Sequence, residues 1–213
     1  MRANKYFFNK AMAALLVLFS MVGFSSFAVA DDMPEPQALV KASSDKMMKS
    51  LEENKAELQA DPSLIYGLVT DVLTPHFDFE KMAKLALGKN WRALSATQQS
   101  QFTDEFRLLL IRTYSTAMLE YTNEEIRFLP FRDDLKTKKV QVDMEIVQAR
   151  GPAIPMSLSL YENKSTEWKV YDVKIDGISL VTNYRSTFAN EIRNDGIDKL
   201  IERLAVKNEK VKA

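Results

Sequence analysis

His76 is the one side chain in this sequence whose ordinary pKa suits acid–base work near neutral pH, and it stands alone. With a single His and no Cys in 213 residues, a Cys–His nucleophile pair and a Cys/His zinc cluster are both out of reach. A Ser-His-Asp triad would have to be built on His76. None of the six glycines belongs to a G-x-S-x-G elbow, a G-x-G-x-x-G fingerprint or a Walker loop. Counting does not remove a carboxylate pair of the glycosidase kind, because 29 acids always supply pairs, but no spacing singles one out. His76 follows Pro75 at a helix end, which suits a structural or surface position. The sequence therefore assigns no catalytic residue, no metal site and no cofactor, and points to binding.

Charge narrows the possible partners. Lys81, Lys84, Lys89 and Arg92 cluster around Gly88, either as a solvated face or as a surface for docking a partner. The N-terminus has the form of a secretory signal peptide over residues 1–30. Arg2, Lys5 and Lys10 precede an apolar run from Ala11 to Phe24, and Ala28-Val29-Ala30 is a small-residue cleavage site. The uncharged stretch from Ala11 to Ala30 also has the length of a membrane anchor, but Ser20, Ser25 and Ser26 dilute it. The A-x-A end favours cleavage, leaving a single mature domain over 31–213. The chain carries 29 basic and 29 acidic side chains; cleavage removes Arg2, Lys5 and Lys10 and no acid, for a net charge of −3 with His76 neutral. That balance argues against non-specific nucleic-acid binding. The missing Cys excludes a lipidated N-terminal cysteine, so the product is expected free in the compartment it enters.

The elements that must position any site follow from periodicity. Val40, Met47, Leu51 and Leu58 predict a helix from Gln37 to about Leu58. Asp61-Pro62 starts the next, whose residues Leu64, Leu68, Val72, Ile65, Val69 and Leu73 form two adjoining stripes ended by Pro75. Asp78 caps a helix through Leu85 and Ala86, with Gly88 just past its end. Ser95-Ala-Thr-Gln98 has capping-box form and opens a long helix carrying Phe102, Phe106, Leu109, Leu110, Ala117 and Tyr121.

After Asn123 the period changes to two. Glu125 to Leu129 reads as a strand. Val140, Val142, Met144 and Ile146 alternate with polar residues, as do Met156, Leu158 and Leu160. Trp168, Val170, Tyr171, Val173 and Ile175 give a further strand, stopped by Asp176-Gly177. Val181, Tyr184, Phe188 and Ile192 return to helical spacing, a last helix carries Ile197, Leu200, Ile201 and Leu204, and Lys207 to Ala213 reads as a frayed charged tail. Helices, then a meander of about four strands, then helices, predict an α+β fold: an antiparallel sheet with helices on one face. Sheet and helices both present wide apolar faces. They either close into a solid core or fail to close and leave a lipophilic cavity. Inward methionines at Met82, Met118, Met144 and Met156 suit both arrangements.

Several ordered motifs resemble one family. Leu87-Gly-Lys-Asn-Trp91-Arg92, Ser95-Ala-Thr-Gln-Gln, the run from Phe102 through Phe106-Arg107 and Leu110 to Arg112-Thr-Tyr114, and the segment from Val170-Tyr-Asp to Gly177, Ser179, Tyr184-Arg185 and Phe188 are similar to the MlaC family. These are the periplasmic phospholipid-binding proteins also called toluene-tolerance auxiliary proteins. The similarity spans nearly all of the mature chain. It implies a soluble periplasmic carrier that shuttles phospholipid between an outer-membrane lipoprotein–porin complex and an inner-membrane ABC transporter with a membrane-anchored lipid-binding subunit. That traffic would maintain outer-membrane lipid asymmetry. It also implies helices packed on a curved antiparallel sheet, an NTF2-like cone enclosing an apolar pocket, with phospholipid as ligand, no cofactor and no catalysis. A monomer is the simplest shuttle.

The family places the pocket on sheet and helices; periodicity picks the residues. They are Val72, Leu73, Leu110, Tyr114, Met118, Val142, Met144, Ile146, Met156, Leu158, Leu160, Val170 and Val173, each equally able to serve as ordinary core. Trp91, Arg92, Asp172, Ser179, Tyr184 and Arg185 match the family pattern and are candidates for headgroup or partner contact. Each also has a purely structural reading: Ser179 as a helix cap, Asp172 and Arg185 as an ion pair, Trp91 as packing. Lys81, Lys84 and Lys89 are the docking candidates. A periplasmic chaperone or adaptor holding polypeptide in an apolar cleft is the competing reading, and a secreted hydrolase is a weaker third.

Overall fold

The structure, a computed structural model, describes residues 33–120, 124–148 and 150–212. The expected leader at 1–30 and Tyr121 lie outside those residues. Seven α-helices and one five-stranded sheet are found among the described residues.

Local chemistry explains most boundaries. α1 (Glu35–Glu53) begins with Pro34 and Pro36 in its first turn, where a missing N–H costs nothing. The single helix expected to Leu58 is broken at Asn54. Its side-chain amide donates to Ser50 O at 2.8 Å, sharing that carbonyl with Asn54 N at 3.1 Å, and its own carbonyl accepts Leu58 N at 2.9 Å in the next helix. α2 (Lys55–Ala60) follows, and then Asp61 accepts Ser63 N at 3.0 Å to open a 3₁₀ turn into α3 (Ile65–Val72). A second 3₁₀ turn, Thr74–His76, holds Pro75. Asp78 caps α4 (Phe79–Leu87) through Lys81 N at 2.8 Å, and Gly88 ends it at φ 55°, a conformation suited to glycine. The reciprocal Ser95–Gln98 box opens α5 (Ala96–Met118), as the sequence predicts.

The strands β1 (Glu125–Phe128), β2 (Lys139–Val147), β3 (Ile154–Glu162), β4 (Trp168–Ile175) and β5 (Ile178–Ser179) form an antiparallel meander in chain order. The short β5 is additional to the expected set. Pairing sets up rungs on the inner face: Ile126–Ile146–Ile154, then Met144–Met156–Ile175, then Val142–Leu158–Val173, then Val140–Leu160–Val170. A bulge keeps β4 in phase. Leu160 pairs with Val170 and Ser159 with Asp172, so Tyr171 is the extra residue and Val173 and Ile175 return inward. Tyr171 therefore stands off the inner face and meets Tyr161 edge-on at 5.9 Å. Beside β5, the free edge of β4 is covered by Phe77, which bridges Val170, with Asp78 N donating to Val170 O at 2.9 Å.

α6 (Leu180–Asp195) and α7 (Ile197–Lys212) complete the helical layer. The expected frayed tail is helical to Lys212, because Asn208 is fully buried and donates to Glu105 O at 2.8 Å and Glu105 Oε2 at 3.0 Å. The buried residues fall into two hydrophobic clusters. The larger joins α4, α5, α6 and α7 to the sheet around Phe102, Phe106, Tyr184 and Phe188. The smaller joins α1, α2, α3 and the end of α5 around Met47, Leu51, Ile65, Val69 and Ile111.

Candidate functional site

A cavity of about 630 Å³ lies between the two clusters. Val40, Met82, Leu110, Met144, Leu158 and Val173 reach it from the larger cluster; Met47, Leu51, Val69 and Ile111 reach it from the smaller. Its floor is the inner face of the sheet. All of the first rung lines it, as do Met144, Met156 and Ile175 of the second. On the third rung only Leu158 and Val173 take part, and on the fourth only Val170. The cavity thus tapers along the strands into solid core.

Its mouth is at the first rung. Ala117, Glu120 and Gln148 are exposed and also line the cavity. They come from α5, the turn after it and the end of β2. Pairing of Glu125 with Val147 brings Glu124, another lining residue, to the same end. Carboxylates are confined to this rim, while the walls are mostly aliphatic, aromatic and methionine side chains, with Ser43, Ser44, Thr74, His76 and Ser115 among them. Such a site is an apolar slot with a polar entrance, within the size range of ligand pockets.

The sequence-predicted lining residues separate cleanly. Leu73, Leu110, Tyr114, Met118, Met144, Ile146, Met156, Leu158, Val170 and Val173 all line the cavity. Val142 and Leu160 do not; they occupy the deeper rungs, are 0 % exposed and are covered by helices. Val72 turns away from the cavity into the smaller cluster, while its neighbours Val69 and Leu73 face in. The sequence reading left out the whole α1 wall of Leu39, Val40, Met47, Met48 and Leu51, although the Val40–Met47–Leu51 stripe was visible. It also left out Phe77, Phe79, Ile111, Ser115, Ile126, Ile154, Ile175 and Leu180.

Two wall side chains titrate unusually. Burial, followed by the charge of and hydrogen bond with Tyr184, pushes the Tyr114 hydroxyl up to about 12. Burial, followed by the cations Lys169 and Lys46, lowers His76 from its ordinary value, favouring the neutral ring.

The other candidates lie off the cavity, and several have local partners. Trp91 is buried in the larger cluster. Asp172 accepts Ser179 Oγ at 2.7 Å and Val181 N at 3.3 Å, and Ser179 Oγ accepts Thr182 N at 3.1 Å, so both hold the start of α6. The expected Asp172–Arg185 pair is replaced by Arg185 Nε donating to Leu85 O at 2.8 Å. Tyr184 packs between Phe106 and Phe188. Arg92, Lys84 and Lys89 are exposed. Lys81 is half-buried, its Nζ 3.0 Å from the Tyr161 ring centroid; Tyr161 itself donates to Asp78. Burial lowers the Lys81 pKa against the opposing pull of Asp78. No group of three or more potential metal ligands occurs among the described residues. No helix among them is long and apolar enough to cross a membrane.

Comparison with known proteins agrees with this geometry. A protein from Haemophilus influenzae, the intermembrane phospholipid transport system binding protein MlaC, is 25% identical over 191 residues, covering 89% of both chains. Toluene tolerance protein ttg2D of Pseudomonas putida is 28% identical over 191 residues, covering 88% of this chain and 86% of its own. The structure of a phospholipid-binding protein from Ralstonia solanacearum, in complex with a phospholipid, superposes with a TM-score of 0.75 at 27% identity, covering 84% of this chain and 99% of that one. The family model described as MlaC protein matches residues 41–206. With the match running from α1 to α7, the chain belongs to the MlaC family.

Proposed function

We propose that this chain is a non-enzymatic periplasmic carrier that holds phospholipid by its acyl chains in the cavity. It would pass the lipid between an outer-membrane lipoprotein–porin complex and an inner-membrane ABC transporter. One observation carries the reading: the hydrophobic core is split, and the gap is a mostly apolar slot with carboxylates only at its mouth. A solid core would bury more apolar surface, so an unfilled gap of this size is a standing cost that an apolar ligand removes. The phospholipid-bound relative from Ralstonia solanacearum and the transport-system name of the Haemophilus influenzae relative support lipid as that ligand.

Energetics favour retention. Each buried methylene contributes about 0.8 kcal/mol, so one chain with roughly a dozen buried methylenes gains on the order of 10 kcal/mol before ordering costs. Spontaneous loss to water is then slow, and delivery needs a docked partner. The exposed Lys84, Lys89 and Arg92 are the docking candidates that the structure leaves accessible.

The test is native mass spectrometry of the chain purified from periplasm without detergent, followed by lipid extraction. A mass increment of one or two phospholipids that survives gel filtration is the expected result. A bare polypeptide that also takes up nothing from liposomes overturns the reading. Co-purifying peptide in place of lipid would support a chaperone instead.

A further inference from the structure

The two ends of the cavity differ in charge. Glu120 and Glu124 stand at the mouth, beyond the first rung, and no Lys or Arg is among the described lining residues. His76 lies at the other end. It precedes Phe77, which bridges Val170 of the fourth rung. Val140 and Ile146, on the fourth and first rungs, are six residues apart on β2, so about 20 Å of floor separates the two ends. Two cations attend His76. Lys169 Nζ donates to Pro75 O at 3.0 Å and lies 3.2 Å from Glu167. Lys46, on α1, is exposed, has no ion-pair partner among the described residues, and its charge acts on the His76 ring. The wall hydroxyls Thr74 and Ser43 donate back to Thr70 O and Leu39 O of their own helices. The half-buried His76 ring has no hydrogen-bond partner among the described residues, so its nitrogens are uncommitted.

We propose that His76, with Lys46 and Lys169 beside it, is a seat for a phosphate group, supplied by the headgroup of the bound lipid. This rests on the carrier reading above. An anion is attracted at this end by both lysines and repelled at the mouth by Glu120 and Glu124. Burial and the lysines favour the neutral ring; a phosphate reverses that preference and makes the ring a charge-assisted donor. The acyl chains then run from His76 over the Met144–Met156–Ile175 rung toward the mouth.

His76 is the single histidine of the chain, so one imidazole signal in proton–carbon NMR reports on the seat. The signal is titrated in delipidated protein, in protein loaded with phosphatidylglycerol, in protein loaded with diacylglycerol of the same chains, and in delipidated protein with inorganic phosphate. Phosphatidylglycerol is expected to raise the His76 pKa by roughly one unit or more, and diacylglycerol not to raise it. In competitive loading from vesicles holding both lipids, the bound ratio of phospholipid to diacylglycerol should fall roughly tenfold in His76→Gln. Lys46→Gln, an exposed change that spares the fold, should lower it about threefold at low salt. A pKa raised by inorganic phosphate, with no change of lipid ratio in the variants, makes the seat one for free phosphate and overturns the headgroup assignment. A His76 signal indifferent to both phosphates overturns the seat, while lipid uptake leaves the carrier reading standing. Uptake of neither lipid, with no response to inorganic phosphate, overturns both.

Discussion

Leu110 and Ile111 are neighbours on α5, both line the cavity, and they belong to different hydrophobic clusters. Successive helical residues point about 100° apart, so one turn of α5 faces the sheet-based core on one side and the α1–α3 core on the other. The cavity lies between these two directions. α5 is thus the shared wall of two small cores rather than the centre of one. The gap follows from that division and does not depend on any single small residue.

Two residues on one strand test this arrangement. Leu158 lines the cavity, whereas Leu160, on the same face of β3, is sealed in solid core. Leu158→Glu is expected to fold, because its carboxylate can reach cavity water, and to lose bound lipid. Leu160→Glu buries a charge with no exit and should lose at least about 4 kcal/mol or fail to fold. Urea midpoints and extracted lipid check both. Undiminished lipid in folded Leu158→Glu would remove Leu158 from the site.

The Asp172–Ser179 pair predicts the opposite combination. Asp172 holds the start of α6 through Ser179 Oγ and Val181 N. Asp172→Ala should cost about 1.5–3 kcal/mol, the range for hydrogen bonds to a charged group, and Ser179→Ala about 0.5–2 kcal/mol. Lipid content per folded molecule should stay unchanged in both. A large loss of lipid at full stability would return these residues to headgroup contact.

How far the sequence could be read depended on whether a feature was local. The Ser95–Gln98 box, the Asp78 cap, the glycine stop at Gly88 and the alternation of β2 and β3 are set by neighbours within four residues, and all are found. The break at Asn54, whose side chain bonds Ser50 O, is something apolar spacing does not register. The inward pair Val170 and Val173 is three residues apart, a step that strict alternation does not allow and that the bulge at Tyr171 supplies. Period two assigned Val142, Met144, Leu158 and Leu160 to one face, correctly. It could not say which rungs the helices cover, since that depends on long-range packing. The α1 stripe of Val40, Met47 and Leu51 was legible as a buried face, but not as a wall across from the sheet.

His76 makes stability depend on pH. Burial first, then Lys169 and Lys46, hold its pKa below the ordinary 6.5. Between that value and the lower folded one, the unfolded chain binds a proton that the folded chain does not. Stability therefore falls as pH drops below 6.5 and levels off beneath the folded pKa. Carboxylates add their own acid slope, so the contrast with His76→Gln isolates the histidine. The urea midpoint of the variant should decline less between pH 7.5 and 5 than that of wild type. Equal declines would mean that His76 titrates alike in both states.

Asn208 turns the end of the chain from a tail into a structural element. Its side-chain amide donates to both the carbonyl and the carboxylate of Glu105, locking the last turns of α7 against α5 with the residue 0% exposed. Asn208→Ala removes both bonds and the buried side-chain volume, and should cost about 1–3 kcal/mol. Deleting 207–213 should cost at least as much, since it also removes the final helical turn over α5. Because this contact lies within the α5–α7 layer and neither partner lines the cavity, bound lipid should survive in whatever fraction stays folded. Chemical denaturation alongside lipid extraction separates the two effects. A truncated chain as stable as the full one would show the end of α7 to be the dispensable tail that its charge pattern suggests.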